Sequence, residues 1–207
     1  MTRIIITRHG ETEWNILGLV QGCLDSALTP VGIVQAEKLA SRLHGEKIGA
    51  IYSSSLGRAM ATAQVLGSVF KVDVRACPEF GEISFGSWEG QAWHLLRQTE
   101  PENFAAWEKN PHSYHFPGGE CMADVLFRAK PKLLQLCDLH PDETICVVSH
   151  GITVKVLITD LLGYPLADWE KTPWQANTAL NIFEVTGGKF VDVVVGDSTH
   201  LEDKEHE

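Results

Sequence analysis

Short runs of β-branched and aliphatic residues recur along the chain at 3–7, 48–53, 72–75, 144–149, 179–185 and 189–195, each of a length that suits one strand. Between them, apolar positions recur at helical spacing. Thr29-Pro30 is a helix start with proline at the first helical position, and Val34, Leu39 and Leu43 predict an inward face that ends near Gly45. A second helix is predicted from about Ser55 toward Gly67, a third over 122–139 with Val125, Ala129, Leu133 and Leu136 inward, and a fourth over 152–162, closed by Gly163. Pro131 removes an N–H from the third helix and crowds its preceding turn, so a kink or break is expected there. Strands alternating with helices predict an α/β layer architecture with helices on both faces of a sheet.

The stretch 88–119 breaks that rhythm. Trp93, Trp107, Tyr114 and Phe116 stand among Pro101, Pro111 and Pro117, and the segment reads as a small helical flap inserted beside the sheet, its aromatics serving mainly as core. The charged end, 202–207, reads as a frayed tail. No repeat or low-complexity linker divides the 207 residues, so one domain with a flap is expected.

Charge narrows the partners. With 17 Lys+Arg against 27 Asp+Glu, the net charge of -10 gives a mean surface field that repels nucleic acid and anionic membrane. A small anionic substrate still fits if a few cations are gathered in one cleft. No stretch is long and apolar enough to span a bilayer, and the five cysteines (Cys23, Cys77, Cys121, Cys137, Cys146) lack any C-x-x-C spacing. These features predict a cytoplasmic protein with reduced thiols, neither secreted nor membrane-bound. No heptad indicates an oligomeric state.

Candidate chemistry lies where strands end. The first strand runs into Arg8-His9-Gly10-Glu11-Thr12 and the fourth into Ser149-His150-Gly151, at the sheet edge where ligands bind in open α/β folds. The glycines are expected to permit close backbone approach and unusual dihedrals. Arg58 falls in the first turn of the helix after 48–53, and Glu82 in the loop after 72–75, so four strand exits deliver an Arg-His pair, an Arg, a His and a Glu to one place. Two guanidinium forks suit phosphate oxygens, and a neutral imidazole is a nucleophile at pH 7 when its second nitrogen is held. On this reading His9 attacks phosphorus, Arg8, Arg58 and His150 hold the phosphoryl oxygens, and Glu82 protonates the leaving oxygen and later activates water. That last role requires a raised pKa, which a nearby bound phosphate would supply.

Each residue alone has a bland explanation as a surface or capping group; the combination carries the inference. A metal site is the main rival for paired histidines, but Arg8 beside His9 repels a cation, no H-E-x-x-H spacing occurs, and His112 with His115 lacks a third ligand. There is no P-loop, Cys121 and Arg128 do not have the spacing of a cysteine phosphatase, and no aspartyl-phosphate motif is present. No metal and no cofactor are therefore expected.

The ordered set Arg8-His9-Gly10-Glu11-Thr12, Asn15, Arg58, Glu82 and Ser149-His150-Gly151 resembles the histidine phosphatase (phosphoglycerate mutase-like) superfamily over essentially the whole chain, to about His200. The resemblance implies a three-layer α/β/α fold whose six-stranded, mostly parallel sheet has one antiparallel strand. It also implies a phosphohistidine at His9, a metal-independent reaction, and a phosphate pocket of Arg8, Arg58, His150 and Asn15, to which we add Gln21, Gly22 and Gly151 as substrate contacts. The segments 82–90 and 117–120 are similar to the small phosphatase branch, with Cys121 where that branch often has serine. Mutases of the family place a basic, carboxylate-binding insert after the acid, whereas here 91–116 offers only Arg97 and Lys109 as full cations.

The expected activity is that of a phosphomonoesterase acting on a small phosphorylated metabolite, with Trp14, Gln21, Gly22, Trp93, His94 and the flap shaping the leaving-group pocket. The alternatives are a cofactor-dependent phosphoglycerate mutase, a narrow-specificity enzyme such as an α-ribazole phosphatase, and a catalytically silent binding module. The last has no use for both a nucleophile and an acid.

Overall fold

The computed structural model describes residues 1–202. The expected frayed end falls, from residue 203 onward, outside the described residues. In chain order the elements are β1 (Thr2–Arg8), α1 (Glu13–Leu17), α2 (Pro30–Arg42), β2 (Ile48–Ser53), α3 (Gly57–Phe70), β3 (Val74–Ala76), α4 (Trp93–Thr99), α5 (Pro101–Lys109), α6 (Met122–Leu139), β4 (Thr144–Ser149), α7 (Gly151–Leu161), β5 (Leu180–Thr186) and β6 (Lys189–Asp197). Six strands form one sheet in the order β3-β2-β4-β1-β5-β6. The pairs β2/β3, β2/β4 and β1/β4 are parallel, while β5 runs antiparallel to both β1 and β6, so a single strand opposes the rest.

The central strands are near-continuous apolar runs because both faces of the sheet are covered. Alternation then divides their side chains: Ile4, Ile6, Ile145 and Val147 pack with residues of α6 and α7, whereas Ile5, Cys146 and Val148 pack with residues of α2 and α3. This produces the three layers. The flap contributes a third cluster around the fully buried Trp88, against which Phe104 stacks with ring centroids 5.8 Å apart and Phe116 sits edge-on at 5.2 Å. Such aromatic pairs add to area burial and hold two short helices that could not stand alone.

Three local expectations are corrected. Val34 is 47% exposed; the inward face of α2 is instead Gly32, Ala36, Leu39, Ala40 and Leu43, spaced by three and four residues where Val34 to Leu39 is spaced by five. Helix α6 passes through Pro131 without a break, with Val125, Ala129, Leu133 and Leu136 all facing inward. Its i−4 partner, Phe127, is 84% exposed, so the carbonyl that loses a partner lies on the water side. The third strand is only Val74–Ala76, on the sheet edge. Among the described residues no helix is long and apolar enough to cross a membrane.

Candidate functional site

Register brings the two histidines together. Arg8 pairs with Ser149 at the ends of β1 and β4, and the His9 backbone N–H continues the ladder to Ser149 O at 2.9 Å. His9 and His150, the next residues on each strand, therefore lie side by side, with ring centroids 5.2 Å apart. The loop after β1 is pressed onto the start of α2: a Cβ at Gly10 would lie 2.4 Å from Gly32 O. Gly10 is thus required for close approach. Gly151 is not, since a Cβ there would meet Arg8 Nε at an ordinary 3.5 Å.

His9 is buried, and its Nδ1 lies 2.7 Å from Gly10 O. A carbonyl can only accept, so Nδ1 carries the hydrogen and Nε2 keeps its lone pair. Burial, then the charges of Arg8 and Arg58, hold the imidazole well below its usual pKa, and it is neutral at pH 7. His150, the N-cap of α7, is held down in the same way by burial and by Arg58, with His9 and Arg8 adding to the effect. Its Nε2 sits 2.7 Å from Ser54 Oγ, at the exit of β2.

Arg8 donates from Nη1 to Gln175 O at 2.9 Å, and burial pushes its guanidinium down to about 10. Arg58, 1% exposed, donates from Nη1 to Leu24 O (2.6 Å) and Asp25 Oδ1 (3.1 Å) and from Nη2 to Gly22 O (2.8 Å). Its fork is thus largely spent on fixing the 22–25 loop, and the edge left for an anion is the one bearing Nε. Arg8 Nε, Arg58 Nε and His150 Nδ1 are all buried without a partner. An orphaned buried polar group costs about 1–3 kcal/mol, so three such nitrogens beside His9 suit a ligand rich in acceptor oxygens.

Glu82 sits across from them on the N-terminus of α7. Its Oε1 accepts from the Thr153 N–H and hydroxyl, each at 3.1 Å, and Oε2 accepts from the Ile152 N–H at 3.2 Å. The carboxylate replaces the missing side-chain cap of that helix. Its loop is fixed from behind by Arg128, which donates to Glu79 O, Gly81 O and Glu82 O and is paired with Glu120 at 2.9 Å.

These groups line one cleft of about 520 Å³, the size of a small-molecule site. Arg8, His9, Asn15, Gln21, Gly22 and Arg58 form part of its wall, as do Glu82 and Gly151; His150 lies just behind it, fully buried. Asn15 Oδ1 accepts from the Thr12 N–H in a capping box and from Asn177, which also donates to His9 O at 3.0 Å. Trp93 reaches the cleft, but Trp14 and His94 do not line it: the first is on α1 and the second points out from α4. Arg97 and Lys109 are not in the wall either, and Arg97 is paired with Glu108. His115 lies near Asp124 at 3.4 Å, and among the described residues no three His, Cys, Asp or Glu are grouped to hold a metal ion.

Sequence reasoning overlooked Ser54, Thr153, Asn177 and the Glu120-Arg128 clamp. It also overlooked the irregular segment between α7 and β5, which brings Trp169, Glu170 and Trp174 to the cleft. Two tryptophans between Pro165 and Gln175 were the available signal.

An open α/β sheet whose strand ends present a neutral imidazole, two guanidinium groups and a capping carboxylate around a cluster of orphan donors defines a phosphoryl-transfer protein. The chain belongs to the histidine phosphatase superfamily (branch 1), whose family model matches residues 4–198. It is similar to phosphoserine phosphatase 1 of Hydrogenobacter thermophilus, 36% identical over 81% of this chain and 79% of that one. It is also similar to phosphoglycerate mutase-like protein 4 of Arabidopsis thaliana, 35% identical over 97% and 87%. Among solved structures, Bacillus stearothermophilus YhfR superimposes with a TM-score of 0.93 at 36% identity, covering 98% of this chain and all of that one.

Proposed function

We propose that the protein is a phosphomonoesterase that hydrolyses small phosphate esters through a phosphohistidine on His9 Nε2. The observation that carries this reading is the coincidence, at one strand edge, of a neutral imidazole oriented by Gly10 O with three unpartnered buried nitrogens, on Arg8, Arg58 and His150. The donors hold the non-bridging oxygens while Nε2 displaces the alkoxide, and they strengthen as charge moves onto those oxygens. Glu82 gives its proton to the departing oxygen. As carboxylate, seated on the N–H groups of α7, it then takes a proton from the water that splits the P–N bond, returning His9 to its starting form with release of inorganic phosphate. Asn15, Gln21, Gly22 and Gly151 complete the walls around the ester.

Return of the phosphoryl group to a glycerate, the mutase reaction, is disfavoured because Arg97 and Lys109 do not reach the cleft and, among the described residues, no other cation lines it outside the phosphate nest. The partner is a small phosphorylated metabolite, held by the cations gathered in the cleft against a net charge of -10, and the place of action is the cytoplasm, in keeping with five unpaired thiols. The test is a quench experiment with radiolabelled ester: acid-labile, base-stable label appears on the wild type and is absent from His9→Ala. With 3-phosphoglycerate and a bisphosphoglycerate primer, free phosphate should form faster than 2-phosphoglycerate; the reverse order would establish a mutase.

A further inference from the structure

Beyond the phosphate nest, the character of the cleft changes. Its outer walls carry four tryptophans, Trp93 and Trp107 from the flap and Trp169 and Trp174 from the segment before β5, and among the described residues the charged side chains lining that part are two carboxylates, Glu108 and Glu170. Arg97 pairs with Glu108 without lining the cleft, and Lys155 is buried against the face of Trp169. Aromatic faces with carboxylates at the rim make a receptor for positive charge, since the face of an indole is the negative end of its quadrupole. The protein already uses part of this surface in that way. Lys155 Nζ lies 4.1 Å from the Trp169 ring centre and 5.7 Å from that of Trp174, and the Arg8 guanidinium lies 5.9 Å from Trp174. Trp93 and Trp107 are tilted by 30° with centroids 5.4 Å apart, and among the described residues no such cation lies over either ring.

We infer that the leaving-group half of the cleft binds a cation, so that the preferred substrate is a phosphate monoester whose alcohol carries a fixed positive charge of the quaternary-ammonium type. The inference rests on the phosphomonoesterase reading and adds the substrate class. One end of the molecule is the phosphate dianion, gripped by Arg8, Arg58 and His150. The other is a large, weakly hydrated cation that loses little on leaving water and lies against the indole faces, with Glu108 and Glu170 at the rim.

The test compares phosphocholine with 3,3-dimethylbutyl phosphate, a neutral ester of the same shape, and with 3-phosphoglycerate as the anionic case. Two readouts are taken: kcat/KM for the wild type, and equilibrium binding to His9→Ala by quenching of tryptophan fluorescence. Phosphocholine should exceed its neutral isostere by about ten-fold in both, the order expected of a desolvated cation–π contact, and 3-phosphoglycerate should rank last. In the Glu108→Gln/Glu170→Gln double variant the ratio of phosphocholine to isostere should fall several-fold. A ratio at or below one, or a ratio that the double variant does not move, overturns the inference and leaves a merely apolar pocket. Absence of hydrolysis of every ester, p-nitrophenyl phosphate included, would instead sink the phosphomonoesterase reading, while the binding ratio on His9→Ala would still decide the cation site.

Discussion

Acid should weaken this protein through two residues in particular. His9 and His150 are fully buried beside Arg8 and Arg58, and both are held well below the usual imidazole range. In the unfolded chain each titrates near ~6.5. Below that pH the unfolded state binds two protons that the folded state refuses, so the stability they contribute is intact above about 6.5 and is lost as pH falls. For one histidine the loss one unit below its unfolded pKa is RT ln 11, about 1.4 kcal/mol, and the slope approaches about 1.4 kcal/mol per pH unit. The pair therefore removes at most about 3 kcal/mol by pH 5.5, a substantial share of the 5–15 kcal/mol typical of a folded domain. Urea unfolding followed by the fluorescence of the six tryptophans, repeated from pH 7.5 to 5, gives the profile. His9→Asn and His150→Asn should each flatten it by about half of that difference, and the double variant by all of it, because the carboxylate background is common to every profile. Parallel profiles for wild type and double variant would show that these imidazoles are not held neutral, and the reasoning about the nucleophile would fail with them.

Glu82→Gln should slow hydrolysis of alkyl phosphates by two orders of magnitude or more, on the order expected for loss of an acid, and p-nitrophenyl phosphate far less; equal losses on both would remove Glu82 from leaving-group protonation. Ser54→Ala deletes the 2.7 Å partner of His150 and should cost about 1 kcal/mol of stability while raising the inhibition constant of inorganic phosphate several-fold. Unchanged phosphate inhibition would make Ser54 a bystander. Gly32→Ala would place a Cβ 2.1 Å from Glu11 O, whereas at Gly18 a Cβ meets nothing; the first should destabilise by about 3 kcal/mol and the second by about 1–2 kcal/mol from its positive φ, both read by thermal unfolding. Incubation with a chelator should leave the rate of ester hydrolysis unchanged.

What the sequence determined by itself was whatever depends on neighbours along the chain. Largely apolar runs at 48–53 and 144–149 became strands with those bounds, because strands buried on both faces leave little polar alternation to blur their ends. Arg8-His9 and Ser149-His150 were legible as strand exits for the same reason, and Arg58 as the first turn of the helix that follows β2. Local rules failed where a partner far along the chain compensates. The break expected at Pro131 did not form because the side of α6 that loses a bond faces water, and Val34 turned outward because Ala36 and Ala40, small enough to let α2 approach the sheet, took the inner face. Long-range packing alone brings Ser54 to His150 across 96 residues, sets Arg128 behind the loop of Glu82 across 46, and places Trp169 and Trp174 over the cleft. Each is a contact set by how strand β4 slots between β1 and β2 and how the last segment folds back over β1. Such contacts bridge sequence separations over which no periodicity or spacing carries information.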